Sequence, residues 1–201
     1  MNAYDMFLAI DLELNNARDG STPNPKIIEV GVAWGSWDHY KDNALLGWNW
    51  YIDPQEPIYP EITQLTGIDD DIVKSSCLPH QHIATELAGI MERNNCFVNP
   101  ITWGGGDVPA LLSEFKQHGV QFNKFGRRWI DVKTWYAFVR MAQGVSHTGS
   151  LKSALPKFGL KFEGDAHRAQ VDAKNTLKLF FAMLDRQCNI EYTLKQLKGI
   201  K

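Results

Sequence analysis

The chain has 201 residues, 44% of them hydrophobic and 22% charged, and a net charge of −2. These are the proportions of an ordinary soluble globular protein, and one domain spanning residues 1–201 is long enough to bury a full core. They exclude a strongly basic coat of the kind that wraps duplex DNA, and no apolar run approaches the ~18 residues of a transmembrane helix.

The N-terminus shows no basic region followed by an apolar one, so no secretory signal is read and a cytoplasmic protein away from membranes is expected. Cys77, Cys96 and Cys188 are odd in number and lack CxxC spacing, which indicates neither a disulfide framework nor a zinc cluster. His80 and His82 flank one residue and could bind metal, but they read more readily as surface histidines.

In chain order, Met6 to Leu14 (MFLAIDLEL) opens as an unbroken apolar run, the pattern of a central strand covered on both faces. Asn15 to Pro25 is a turn-rich loop. Ile27 to Trp34 reads as a second strand and Leu46 to Ile52 as a third, paired as a hairpin. Pro54, Pro57 and Pro60 then carry the chain to the LTGI segment, Leu65 to Ile68. Ile83, Leu87, Ile90 and Met91 have helical spacing, with a stop at Asn94 and Asn95.

Phe97 to Thr102 is the fourth expected strand. Trp103 and three glycines lead into VPALLSEFKQHG, a helix with Asp107 at its N-cap and Pro109 in its first turn. Trp129 to Val132 gives a fifth strand and Lys133 to Ala142 a helix; Gly144 to Gly149 reads as a mobile segment. Leu151 to Phe158 is helical but distorted by Pro156. A last long helix opens near Ala166, facing Ala173, Leu177, Phe180, Phe181 and Leu184 to the core, with Thr193 to Lys198 adding a final turn or two. Strand, hairpin, then helix–strand alternation predicts an α/β fold with a mixed sheet between helices.

The chemistry concentrates in a few acidic residues. Strand side chains alternate, so Asp11 and Glu13 share one face while Leu12 and Leu14 take the other. Two carboxylates on the end of a core strand repel, and a hard divalent cation such as magnesium is the natural relief; a solvated strand edge is the plainer reading. Three consecutive glycines before Asp107 permit a close approach or an unusual turn, leaving room for a substrate backbone. In HRAQVDAKNT, five residues separate His167 from Asp172, about 500° of helix, so the two do not share a helical face. His167 therefore belongs at or before the helix start.

Together, IDLEL, WGGGDVPAL and HRAQVDAKNT resemble the three motifs of the DEDDh group of 3′→5′ exonucleases, the DnaQ-like branch of the ribonuclease H-like superfamily. The third motif, His-x4-Asp followed by Ala-x-Asn-Thr, is the most specific, and the similarity spans roughly residues 5 to 186. Trp-Gly before Asp107, WIDVKTWYAF and LKSALPKFGL further resemble Eri-like exonucleases and their bacterial relatives, which leans the reading toward RNA. Leu14, where a small residue or Thr is commoner, and Gly106, where animal Eri-like proteins tend to have Trp, depart from the pattern without removing a ligand.

The resemblance implies a ribonuclease H-like fold with a central five-stranded mixed sheet. It implies Asp11, Glu13, Asp107 and Asp172 as ligands of two Mg²⁺ ions (Mn²⁺ as a substitute), with Asp11 bridging and His167 as general base. It also implies a single-stranded RNA or DNA 3′ end as substrate, nucleoside 5′-monophosphates as products, and contacts to the strand from Leu12, Leu65 and Ile68. Core packing competes for Leu65 and Ile68, and Trp103 is either a stacking platform for a base or a core tryptophan. Lys124, Arg127, Arg128, Lys133 and Arg140 form a basic stretch that tracks phosphates or is ordinary solvated surface. No feature names a protein partner. The competing class is a nucleic-acid-binding or scaffold protein that kept the fold and lost the chemistry, but all five polar residues are present.

Overall fold

A computed structural model describes residues 5–17, 22 and 24–197. Parts of the expected loop before the second strand (18–21 and 23) and Lys198 at the end of the expected last turn lie outside the described residues.

Five strands make one sheet in the order β3-β2-β1-β4-β5. β1 (Phe7–Asn15), β2 (Lys26–Gly35) and β3 (Leu46–Tyr51) are antiparallel neighbours, whereas β4 (Ile101–Thr102) and β5 (Ile130–Asp131) join parallel to β1 and to each other. The expected pairing of the second and third strands holds, but the connection is more than a hairpin turn. It carries α1 (Trp37–Lys41), opened by a capping box between Ser36 and His39.

The Pro-rich stretch holds two short helices that composition concealed. α2 (Pro60–Thr66) starts with Pro60 in its first turn and stops at Gly67, whose φ of 73° closes a left-handed C-terminus. α3 (Asp70–Ser76) is capped by the Asp69 carboxylate. β4 is shorter than the expected Phe97–Thr102, because Phe97 and Val98 are exposed and only a bridge from Met6 to Cys96 ties that end to β1. Similarly, β5 shrinks to two residues, and Asp131 caps α6 (Val132–Ala142).

α4 (His80–Arg93) and α5 (Asp107–Gln117) cover one face of the sheet. Leu8, Ile10 and Leu12 of β1 meet Ile83, Leu87, Leu111 and Phe115 there. Truncating one of these fully buried side chains to alanine costs about 2–5 kcal/mol. The opposite face is covered by α6, α7 (Leu151–Ala154) and α8 (Ala169–Leu197), packed through Ala9, Tyr136, Leu155, Leu177 and Phe181. As Pro156 foretold, α7 gives way to a 3₁₀ turn over Leu155–Phe158. Residues 145–150 form no regular structure and are exposed. All three cysteines are free, and among the described residues no helix is long and apolar enough to cross a membrane.

Candidate active site

β1 supplies the first two carboxylates. Ala9 packs in the α6–α8 layer, so by alternation Asp11 and Glu13 point to that same face, while Leu12 turns toward α5. Both acids lie where β1 emerges past the short β4, and a register shift follows Glu13.

Asp107 arrives from the opposite layer. It is the first residue of α5, not the N-cap; Gly106 takes that place without a side-chain bond. The Asp107 carboxylate lies near its own backbone N–H and that of Leu12, both of which favour its ionised form. Gly104 has φ 111°, a conformation open to glycine, and donates its N–H to Asp131 Oδ1 at 3.1 Å. Gly105 and Gly106 are exposed, so the loop leaves open space next to Asp107.

His167 and Asp172 come from the start of α8, and β2 positions that start. Gly31 has no side chain to hold the helix away: a Cβ there would lie 2.0 Å from the Ala169 carbonyl carbon. Glu29, two residues earlier and fully buried, accepts the Ala169 N–H at 2.9 Å and an Arg168 guanidinium N–H at 3.2 Å. Asn49 donates to the same carboxylate at 2.8 Å, and Arg168 also reaches Tyr51 Oη at 2.6 Å.

His167 precedes α8, as the 500° argument required, with a left-handed φ of 63° that is uncommon for a side-chain-bearing residue. Its backbone N–H donates to Asp172 Oδ2 at 2.8 Å, holding the exposed imidazole at the cleft mouth. One ligand atom each from Glu13, His167 and Asp172 lies within 4.8 Å of the others.

The cleft, about 340 Å³, is lined by Asp11, Leu12, Glu13, Trp103, His167 and Asp172 together with Ser150, Leu151, Lys152, Phe162 and Ala166. Its negative charge is poorly compensated. Burial, then Asp107, Glu13, Asp172 and Glu29, push the Asp11 carboxyl well above its ordinary value. Glu13 is pushed up to about 8 by burial and by Asp172 and Glu29, with Arg168 opposing. Asp107 rises to about 6 through burial and Asp131, against the two backbone N–H groups, and burial also raises Asp172. Carboxylates this reluctant to ionise are what a divalent cation would relieve, so the donor set fits a metal.

Trp103 thus belongs to both sequence readings: it lines the cleft and packs on Tyr136 with ring centroids 5.8 Å apart. Ile68 does not. It is fully buried with Ile28, Ile58, Ile62 and Val73, so apolar burial takes it out of reach of a strand, correcting the expectation. Leu65 stays exposed on α2 and lines a separate hollow with Asn16 and Glu61.

None of the five residues of the basic stretch lines the cleft; Lys124 pairs with Glu92 and Arg140 with its own loop. Sequence reasoning missed Lys152, the cation of the cleft wall, inside the quoted LKSALPKFGL segment. It also missed Glu29, Arg168 and Asp131. For Asp131 the signal was a capping pattern with Thr134 three residues on.

A mixed sheet in this order, with helices on both faces, is the ribonuclease H-like fold. The family model RNase_T, an exonuclease family, matches residues 8–180, and the chain belongs to that family.

ERI1 exoribonuclease 2 of Danio rerio is 26% identical over 219 residues, covering 94% of this chain; the chain spans 37% of that relative's length. The nuclease domain of 3′hExo, described as a DEDDh family member bound to rAMP, superposes with a TM-score of 0.78 at 19% identity, over 93% of this chain and 95% of that one. A 3′-exonuclease described in 3′-end specific recognition of the histone mRNA stem-loop gives 0.76 at 17% identity, over 94% and 85%.

Proposed function

We propose that the chain removes nucleoside 5′-monophosphates from the 3′ end of single-stranded RNA, with DNA as the poorer substrate, using two Mg²⁺ ions that Mn²⁺ can replace. The observation that carries this reading is the convergence of Asp11, Glu13, Asp107 and Asp172, from β1, α5 and α8, with His167 at the rim. The lean toward RNA is supported by the exoribonuclease name of the curated relative and by the rAMP and histone mRNA descriptions of the structural neighbours.

Asp11, Glu13, Asp107 and Asp172 would hold the ions. Bound there, the ions supply a lowered water pKa and a positive field for charge on the phosphate oxygens. His167 would take the proton of the attacking water at its imidazole. Trp103 stacks against a base near the terminus and Leu12 floors the site; Leu65 contacts the strand beyond it. Lys152, the cation in the wall, meets a backbone phosphate.

Purified protein incubated with 5′-labelled single-stranded RNA and DNA of one sequence, with Mg²⁺ or with EDTA, tests the proposal. A ladder shortening from the 3′ end, absent with EDTA and absent in Asp172→Ala, is expected, faster on RNA. Binding of either strand without degradation would replace this reading with the non-catalytic one.

A further inference from the structure

We infer that His80, Glu114 and His118 form a second metal site, separate from the carboxylate cleft, that takes a zinc-class divalent ion and clamps the start of α4 to the end of α5. The expectation that His80 lies on the surface is corrected: it is half-buried and turned inward, whereas His82 remains outside, beside Glu86.

Three observations converge on these residues. Glu114 and His118 are one helical turn apart and share a face of α5, and His80 meets them from the first residue of α4. Both imidazoles direct Nε2 at the same oxygen, Glu114 Oε1, at 3.1 Å from His80 and 3.4 Å from His118. Zinc–ligand bonds of about 2.0–2.1 Å place neighbouring tetrahedral ligands about 3.3–3.4 Å apart, so the two nitrogen–oxygen separations match two edges of one tetrahedron, and all three ligand atoms lie within 4.8 Å of one another. The His118 side chain is 44% exposed, which leaves the fourth position to water.

Charge balance points the same way. Glu114 is only 8% exposed, and among the described residues its ion-pair partners are these two histidines, with no lysine or arginine. A buried carboxylate needs a positive partner. The two rings stack face to face with centroids 3.7 Å apart. His118 is also the C-cap of α5, where the helix carbonyls present partial negative charge to a cation. Two imidazoles and a carboxylate suit zinc, whereas the all-carboxylate set of the cleft suits magnesium.

The test is Zn²⁺ titration of the full chain, stripped with EDTA and held in excess Mg²⁺, by calorimetry and thermal denaturation. Wild type is compared with Asp172→Asn, His118→Ala and Glu114→Gln. The proposal expects one tight Zn²⁺ equivalent and a raised Tm in wild type and Asp172→Asn. It expects affinity to fall by ~100-fold or more, with no Tm response, in the other two, since losing a ligand exceeds the 10–100-fold cost of losing an outer partner. The exposed His118 makes its alanine variant compatible with folding, and Glu114→Gln keeps the shape of the side chain. Tight Zn²⁺ binding that survives in both variants, binding abolished by Asp172→Asn alone, or no tight binding in wild type would each overturn it.

Discussion

Glu29, in the middle of β2, accepts the backbone N–H of Ala169 at 2.9 Å and thereby fixes the first turn of α8 against the sheet. The bond spans 140 residues of sequence. It joins β2 to the helix that carries Asp172 and that the left-handed His167 precedes.

Glu29→Ala should therefore act on stability and turnover together. Removing the carboxylate strands the Ala169 N–H and part of the Arg168 guanidinium, a cost of about 1–3 kcal/mol for a buried unsatisfied donor. Denaturant unfolding should show that loss. Turnover should fall further than the folded fraction does, because the His167–Asp172 segment loses its anchor. Equal stability in variant and wild type would show that the bond carries no weight.

Gly31→Ala probes the same contact from the sheet side. A Cβ 2.0 Å from the Ala169 backbone cannot be absorbed by a side-chain rotation, so α8 must move. Overpacking of this kind costs about 1–3 kcal/mol or more. A lower Tm with weakened activity is expected, whereas Gly106→Ala, where nothing lies within 4 Å of the added carbon, should leave Tm nearly unchanged.

Asp172→Ala and His167→Ala should separate metal holding from proton transfer. Loss of the Asp172 carboxylate should nearly abolish turnover and weaken Mg²⁺ binding in calorimetry. His167→Ala should lower kcat by ~10²–10⁴-fold, the usual share of a general base, with Mg²⁺ binding largely kept. Equal loss of metal in both variants would count against the base assignment.

The raised carboxyl groups set a pH dependence with a definite sign. Glu13 stands at about 8 against an ordinary 4.5, and Asp107 at about 6 against 3.8. Because the folded values lie above the unfolded ones, the stability tied to the neutral acids is whole below the unfolded values. It is lost as pH rises through the folded ones. Tm in EDTA should thus fall between the ordinary carboxylate range and pH 8, and added Mg²⁺ should raise Tm most at the upper end. A Tm that climbs over that range in EDTA would contradict the burial of these groups.

Much of the site was legible because its signals are local. Asp11 and Glu13 declare a shared face by strand alternation alone, and the five-residue spacing of His167 and Asp172 places the histidine ahead of the helix. The plainer reading of Asp107, a helix N-cap, does not hold: Gly106 takes that position and Asp107 is the first residue of α5. α2 and α3 went unread because three prolines suggested an extended path, although Pro60 at a first helical turn initiates a helix as readily as it breaks one. Ile68 was assigned to the strand from its loop, but packing among Ile28, Ile58 and Ile62 decided otherwise.

By itself the sequence determined the alternation of strand and helix, the shared face of Asp11 and Glu13 and the place of His167 ahead of the last helix, since each depends on neighbours a few positions apart. Only the tertiary structure decided that Glu29 and Gly31 seat α8, that Lys152 lines the cleft, and that His80 turns inward to Glu114 and His118. Glu29 and Ala169 stand 140 positions apart, and His80 and Glu114 stand 34 apart. Those relationships depend on how layers stack across the sheet, which no local spacing along the chain encodes.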